Sequence, residues 1–196
     1  MRWVCKHGRP WLAAALCALQ PLTSLAADPP QEYTDEQTAA TITIVAQPLV
    51  FAYARRELAA NARDYATVAA AAVNRSGKIS YVLIVYFWTT VDPRLRDTGN
   101  PDAEPVVILA DDRRISLKLQ SHSARDAGIG TPVHAPPGDD VPPNVYAIDL
   151  ATTRFISESR HLALQADSGG TSFTYDLWED RRGALRAFVH HMNGED

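Results

Sequence analysis

The side chains best suited to chemistry lie in one long segment, residues 121–144. It holds two histidines and three aspartates: His122, His134, Asp126, Asp139 and Asp140. Imidazole and carboxylate groups together can bind zinc or another divalent cation. Their spacing matches no metal motif, and the surrounding prolines and glycines are equally typical of a rigid, solvated loop. We therefore take His122, His134, Asp139 and Asp140 as candidate binding residues and predict neither a metal nor another cofactor.

Other polar clusters have plainer structural explanations. His190 and His191 are adjacent, so on a helix they point about 100° apart and cannot readily chelate one ion from one face. A solvated helix end, where histidine is favourable, explains them better. The "DSGGTS" run at 167–172 contains no G-x-S-x-G sequence and fits a hairpin turn. The sequence singles out no catalytic residue.

The segment "KISYVLIVYFWTTVD", residues 78–92, holds the largest block of bulky apolar side chains. It is rich in strand-forming residues but lacks the apolar–polar alternation of a half-exposed strand, so both of its faces need cover. We expect an opposing sheet to cover one face and a C-terminal helix to cover the other. The alternative is an exposed aromatic binding face formed by Tyr86 and Trp88.

The remaining patterns predict a mainly antiparallel β protein. Residues 64–73 and 79–91 form a hairpin that places small side chains beside large ones. A second hairpin joins 105–110 to 115–120, and further strands follow at 145–150, 161–166 and 171–177, with one or two helical turns at 152–159. The segment from Trp178 to Met192 is an amphipathic helix, with Asp176 and Glu179 as a capping box and Asn193–Gly194 at its end.

These elements predict an α+β fold: a sandwich-like, mainly antiparallel sheet with the C-terminal helix packed on it. If the strands alternate in direction, the long connections 92–104 and 121–144 leave from the same end. Loops of that length are uncommon unless they are functional or disordered, so this end is the predicted site region. We also expect the 121–144 loop to be mobile, because its prolines and glycines offer little to bury.

The N-terminal residues have the layout of a secretory signal peptide: three basic residues, a short apolar stretch and small residues up to Ala26. We predict a signal peptide at 1–26, a flexible lead at 27–40 and a single globular domain at 41–196. Cleavage would remove both cysteines and three of the 19 basic residues, leaving 16 against 23 acidic ones. Such an acidic chain is a poor candidate for nucleic acid, and no later apolar run is long enough to span a membrane.

No motif specifies a chemistry, so three functional hypotheses remain. The first is a non-catalytic exported protein, periplasmic or secreted, that binds another envelope or secreted protein. The second is a hydrolase-type enzyme with a site in the loops 92–104 and 121–144. The third is a carrier of a small ligand. A histidine beside an acid in a deep pocket would favour the enzyme, a flat patch at Tyr86 and Trp88 the protein binder, and an enclosed apolar cavity the carrier.

Overall fold

A computed structural model describes residues 28–91, 104–137 and 141–194. These residues form ten strands and two helices. The strands are β1 Gln31–Asp35, β2 Ala40–Ile44, β3 Leu49–Ala54, β4 Arg63–Arg75, β5 Lys78–Thr89, β6 Val106–Ala110, β7 Arg113–Ser121, β8 Asn144–Ile148, β9 Leu162–Ser168 and β10 Thr171–Glu179. The helices are α1 Leu150–Glu158 and α2 Arg182–Asn193.

The sheet closes on itself, so the predicted sandwich is wrong. Every strand pairing is antiparallel, and the order runs β4-β3-β10-β9-β6-β7-β8-β5. A further pairing of β5 with β4 completes a barrel of eight strands. The chain bends at Pro48, so that β3 pairs with the first half of β4 and β2 with its second half. Closure leaves the eight strands without unpaired edges.

The hairpin of β4 and β5 forms the long wall of the barrel. Its turn residues, Ser76 and Gly77, both have positive φ angles, 52° and 86°, as a tight two-residue hairpin requires. The predicted register is off by two residues, since Ala70 lies opposite Leu83 rather than Tyr81. A shift of two keeps every side chain on its predicted face, and Ala69 still lies opposite the bulky Ile84.

The inside of the barrel is filled by strand and helix side chains. They surround a residual cavity of only about 10 Å³: Leu49, Val68, Ala70, Leu83, Ile108, Thr153, Ile156 and Leu185. Both helices follow strand ends at the end of the barrel that carries the Ser76–Gly77 turn. The prediction that the C-terminal helix covers the outer face of a sheet is therefore wrong. Its apolar stripe, with Phe188 1 % exposed, is buried because the helix closes the open end of the barrel.

The helix ends follow from local chemistry. Asp149 caps α1 by accepting a hydrogen bond from the backbone amide of Thr152, 2.7 Å away. α2 ends at Gly194 in the left-handed conformation, as its sequence predicts. The predicted start is wrong, because Trp178 and Glu179 belong to β10 and the side chain of Asp180, not Asp176, accepts a hydrogen bond from the first amide of α2, that of Arg182, at 3.1 Å. Arg186 of α2 donates to the carbonyl of Ser157 at 3.0 Å and so ties the two helices together.

The strand registers confirm that both long connections leave from one end of the barrel, opposite to the helices. Thr89 ends β5 and Ser121 ends β7 at that end. Residues 1–26, the predicted signal peptide, lie outside the described residues, as do 92–103. The predicted flexible lead, 27–40, contains β1, which pairs with β2. Neither described helix has the length and apolar content that crossing a membrane would require.

Candidate binding pocket under the 121–144 loop

The described part of the loop 121–144 covers the second face of β5. That face of the barrel wall carries Val82, Ile84 and Tyr86, which point away from the interior and are at most 1 % exposed. The described part of the loop folds down over this outer face and buries its own Ile129, which is 1 % exposed, with Ala124 and Ala127. The expectation of a mobile loop with little to bury does not hold for these residues.

A buried carboxylate anchors the loop to the β1–β2 hairpin. Asp35 is 3 % exposed and accepts hydrogen bonds from the backbone amides of Gln37, at 2.9 Å, Thr38, at 3.2 Å, and Gly130 across the chain. Burial tends to raise the pKa of this carboxyl group, but the backbone donors outweigh it and hold the pKa below its usual value. The ionised form of Asp35 therefore favours the docked loop.

Further hydrogen bonds join the loop to residues near the β1–β2 hairpin. Thr38 donates to the carbonyl of Gly128 at 2.7 Å, and His134 donates through Nε2 to the carbonyl of Val45 at 2.7 Å. The guanidinium of Arg125 donates to the side-chain oxygen of Gln37. Gly128 has φ of 99°, and a Cβ atom there would lie 3.0 Å from Cγ1 of Val73, so the close approach requires glycine. The loop is thus fastened at several points along one side of the barrel.

Between the docked loop and the barrel lies a pocket of about 440 Å³, within the range of small-molecule sites. Most of its wall is apolar: Ala124, Ile129, Pro132, Ala135, Pro136, Val141, Pro142 and Pro143. Its other side chains are those of Tyr86, His122, Ser123 and Arg125. Among the described residues, no aspartate or glutamate lines the pocket. The site therefore combines an apolar wall with two basic groups.

Tyr86 joins the pocket wall to the barrel and is 1 % exposed. Burial raises the pKa of its phenol group, and the nearby backbone amide of Val133 only partly opposes that shift. The hydroxyl nevertheless has no hydrogen-bond partner in the described part of the chain. A buried polar atom without a partner is costly, and such atoms are few in a folded protein, so the hydroxyl of Tyr86 is a notable feature at the base of the pocket.

The structure brings two of the predicted binding residues together and separates the others. Tyr86 and His122 both line the pocket. Trp88 lies outside its wall, stacked on Tyr65 with ring centroids 4.3 Å apart and donating to the hydroxyl of Thr67 at 3.0 Å. His134 serves as an anchor of the loop. Asp139 and Asp140 lie outside the described residues.

Sequence reasoning missed the apolar wall and Arg125. Ile129, Val133 and Val141 are aliphatic residues among small and polar ones, and that contrast was the available signal for a loop that packs. Nothing in the spacing of Arg125 marks it as part of a site. Its role depends on contacts between segments about 90 residues apart in sequence, such as Arg125 with Gln37.

The polar groups near the pocket form no metal-binding cluster within the described residues. The Nδ1 atom of His122 lies 2.9 Å from the side-chain oxygen of Asn144, an amide and not an acid. Within residues 28–91, 104–137 and 141–194, no three histidine, cysteine, aspartate or glutamate side chains are placed to hold a metal ion. The arrangement is suited to binding a molecule between an apolar wall and polar side chains.

Comparison of the chain with protein-family models, with curated proteins and with solved structures finds no match.

Proposed function

We propose that the protein is a non-catalytic binding protein that holds a small, mainly apolar molecule in the pocket between the 121–144 loop and the outer face of β5. The observation that carries the proposal is the pocket of about 440 Å³, whose wall is lined largely by alanine, proline, valine and isoleucine side chains. An apolar wall supplies binding energy of about 25 cal/mol for each Å² of apolar surface that the ligand removes from water. A few polar groups then fix the orientation of the ligand.

The structure gives less support to a carrier with its ligand inside the barrel, to a protein binder or to a hydrolase. A carrier of the usual barrel type holds its ligand inside the barrel, but here strand and helix side chains fill that space. A flat aromatic patch for a protein partner would need Tyr86 exposed, and it is buried. A hydrolase would need a nucleophile and base in reach of each other, and His122 contacts the amide of Asn144.

Export to the periplasm or beyond is part of the proposal. It rests on the basic, apolar and small residues of segment 1–26. Exported material whose N-terminal sequence begins at Ala27 or Asp28 would support it. Retention of Cys5 in the exported protein would contradict it.

The binding proposal can be tested with N-phenyl-1-naphthylamine, a neutral aromatic probe that fluoresces when it leaves water. Titration of the protein with the probe should give a saturable signal with one site per chain. Ala135 is an exposed residue of the pocket wall, so Ala135→Trp fills the pocket without disturbing the core. We expect this variant to lose at least tenfold in probe affinity.

The matched control is Ala60→Trp, an equally exposed alanine in the connection between β3 and β4. It should bind the probe as the unmodified protein does. Equal binding by both variants would place the probe elsewhere and refute the pocket as its site. No saturable binding at all would refute the proposed function for apolar aromatic molecules of this size.

A further inference from the structure

We infer that the ligand of this pocket carries a carboxylate, which Arg125 and His122 recognise. The inference rests on the proposed function and adds to it the chemical class of the ligand. Both side chains that can carry positive charge in the pocket wall belong to the first turn of the loop, at positions 122 and 125. No described acidic side chain lines the same wall, so an anion would meet no like charge among the described lining residues.

Arg125 has binding capacity to spare. Guanidinium groups carry five N–H donors in a fork that matches a carboxylate. One nitrogen, Nη2, donates to Gln37, and within the described residues Arg125 forms no ion pair. The carboxylate of its neighbour Asp126 instead accepts a hydrogen bond from the hydroxyl of Ser121 at 3.0 Å.

The contact with Gln37 also holds Arg125 in place. Gln37 lies in the turn between β1 and β2, where Asp35 fastens the loop through Gly130. The guanidinium is therefore positioned before any ligand arrives, which reduces the conformational entropy that binding must cost.

His122 supplies a second donor when its ring is protonated. The amide oxygen of Asn144 lies 2.9 Å from Nδ1, and an oxygen there accepts the Nδ1 hydrogen. This contact orients the ring and uses the Nδ1 hydrogen, so Nε2 is an acceptor in the neutral ring and donates to a ligand only when the ring is protonated. Arg125, which is always charged, with a protonated His122 three residues away makes a better site for a carboxylate than for a neutral amide, because hydrogen bonds to a charged acceptor are about twice as strong.

The test compares two competitors of the same shape, 1-naphthoate and 1-naphthamide, for displacement of N-phenyl-1-naphthylamine from the full mature chain. They differ only in the carboxylate or carboxamide on one naphthalene ring. We expect half-displacement by naphthoate at about a tenfold lower concentration than by naphthamide. In Arg125→Gln that ratio should fall to about two or less, because naphthoate loses more affinity than naphthamide when the charge is removed.

Saturable binding of N-phenyl-1-naphthylamine by Arg125→Gln shows that the variant keeps its pocket. The control is Arg56→Gln, which removes an exposed arginine between β3 and β4 and should keep the tenfold ratio. Equal displacement by the two competitors, no displacement by either, or a ratio that survives Arg125→Gln would each overturn the carboxylate inference. The first and third outcomes would leave the proposed binding of apolar molecules intact, whereas absence of probe binding would refute both.

Discussion

Replacement of Ile129 by alanine is a direct test of whether the 121–144 loop is part of the folded domain. Ile129 is 1 % exposed and belongs to the apolar cluster on the outer face of the barrel. Removing buried methyl and methylene groups costs their transfer free energy plus that of the cavity left behind, about 2–5 kcal/mol for isoleucine to alanine. We expect Ile129→Ala to lower the free energy of unfolding by about 2–4 kcal/mol.

This loss should appear in global unfolding, because separating the loop from the barrel has a large free-energy cost. Undocking would expose Val73, Val82 and Ile84, which are all at most 2 % exposed. Burying a side chain of this kind is worth about 1.5–3 kcal/mol, so these three alone represent about 5–9 kcal/mol. That is comparable with the whole stability of a domain, about 5–15 kcal/mol. The loop and barrel should therefore unfold together.

Urea unfolding followed by circular dichroism measures the effect, with Thr131→Ala as the control on the same loop. Thr131 is exposed, so its side chain should contribute less than about 0.5 kcal/mol. Hydrogen exchange adds an independent reading, since the Ile129 amide donates to the carbonyl of Ala124 at 2.9 Å. A loss below about 1 kcal/mol, or exchange at Ile129 far faster than in β4, would refute the docked loop.

Two further predictions concern α2, which closes one end of the barrel, and Asp35, which holds the 121–144 loop in place. Phe188→Ala should lower the free energy of unfolding in urea by about 3–5 kcal/mol, because its ring is 1 % exposed. Trp178→Ala should lower it by less than about 1 kcal/mol, because the indole is 54 % exposed. Equal losses would contradict the placement of α2. The pKa of Asp35 is lower in the folded chain than the unfolded value of about 3.9, so its contribution to stability is present above that pH and is lost as the pH falls through the folded pKa. The urea midpoint should therefore fall between pH 6 and pH 3 by more in the unmodified protein than in Asp35→Asn, and an identical fall in both would show that Asp35 does not anchor the loop.

Local patterns predicted most of the strands correctly, because hairpins depend on residues that are close in sequence. The small-beside-large pairing of β4 and β5 survived a register error of two residues, since the side-chain period of a strand is also two. The helix start failed for a local reason as well. Asp176 and Glu179 have the spacing of a capping box, but pairing of β10 with β3 extends the strand to Glu179 and delays the helix to Arg182.

Closure of the barrel could not be predicted from these patterns. A long strand that is apolar on both faces needs two layers of cover, and a sandwich with a packed helix satisfies that demand as well as a barrel does. The choice depends on which strands become neighbours, such as β5 with β8, whose residues Ile84 and Val145 are 61 positions apart. It also depends on the bend at Pro48, which lets β2 and β3 share one edge of β4.

The candidate site is the most non-local feature of the fold, and this explains why its residues looked ordinary in sequence. Gly130 and Asp35 are 95 positions apart, yet their hydrogen bond fixes one wall of the pocket. The strand β1, which carries Asp35, lies in a segment whose composition is typical of a flexible lead. The loop that carries Gly130 is rich in residues typical of solvent exposure. Each segment is polar and has few apolar side chains of its own to bury. The carboxylate of Asp35 in one segment accepts a hydrogen bond from a backbone amide of the other, so each segment satisfies polar groups of the other. The pocket exists only where both are docked, so loss of the Asp35 anchor should weaken ligand binding even though Asp35 does not line the pocket.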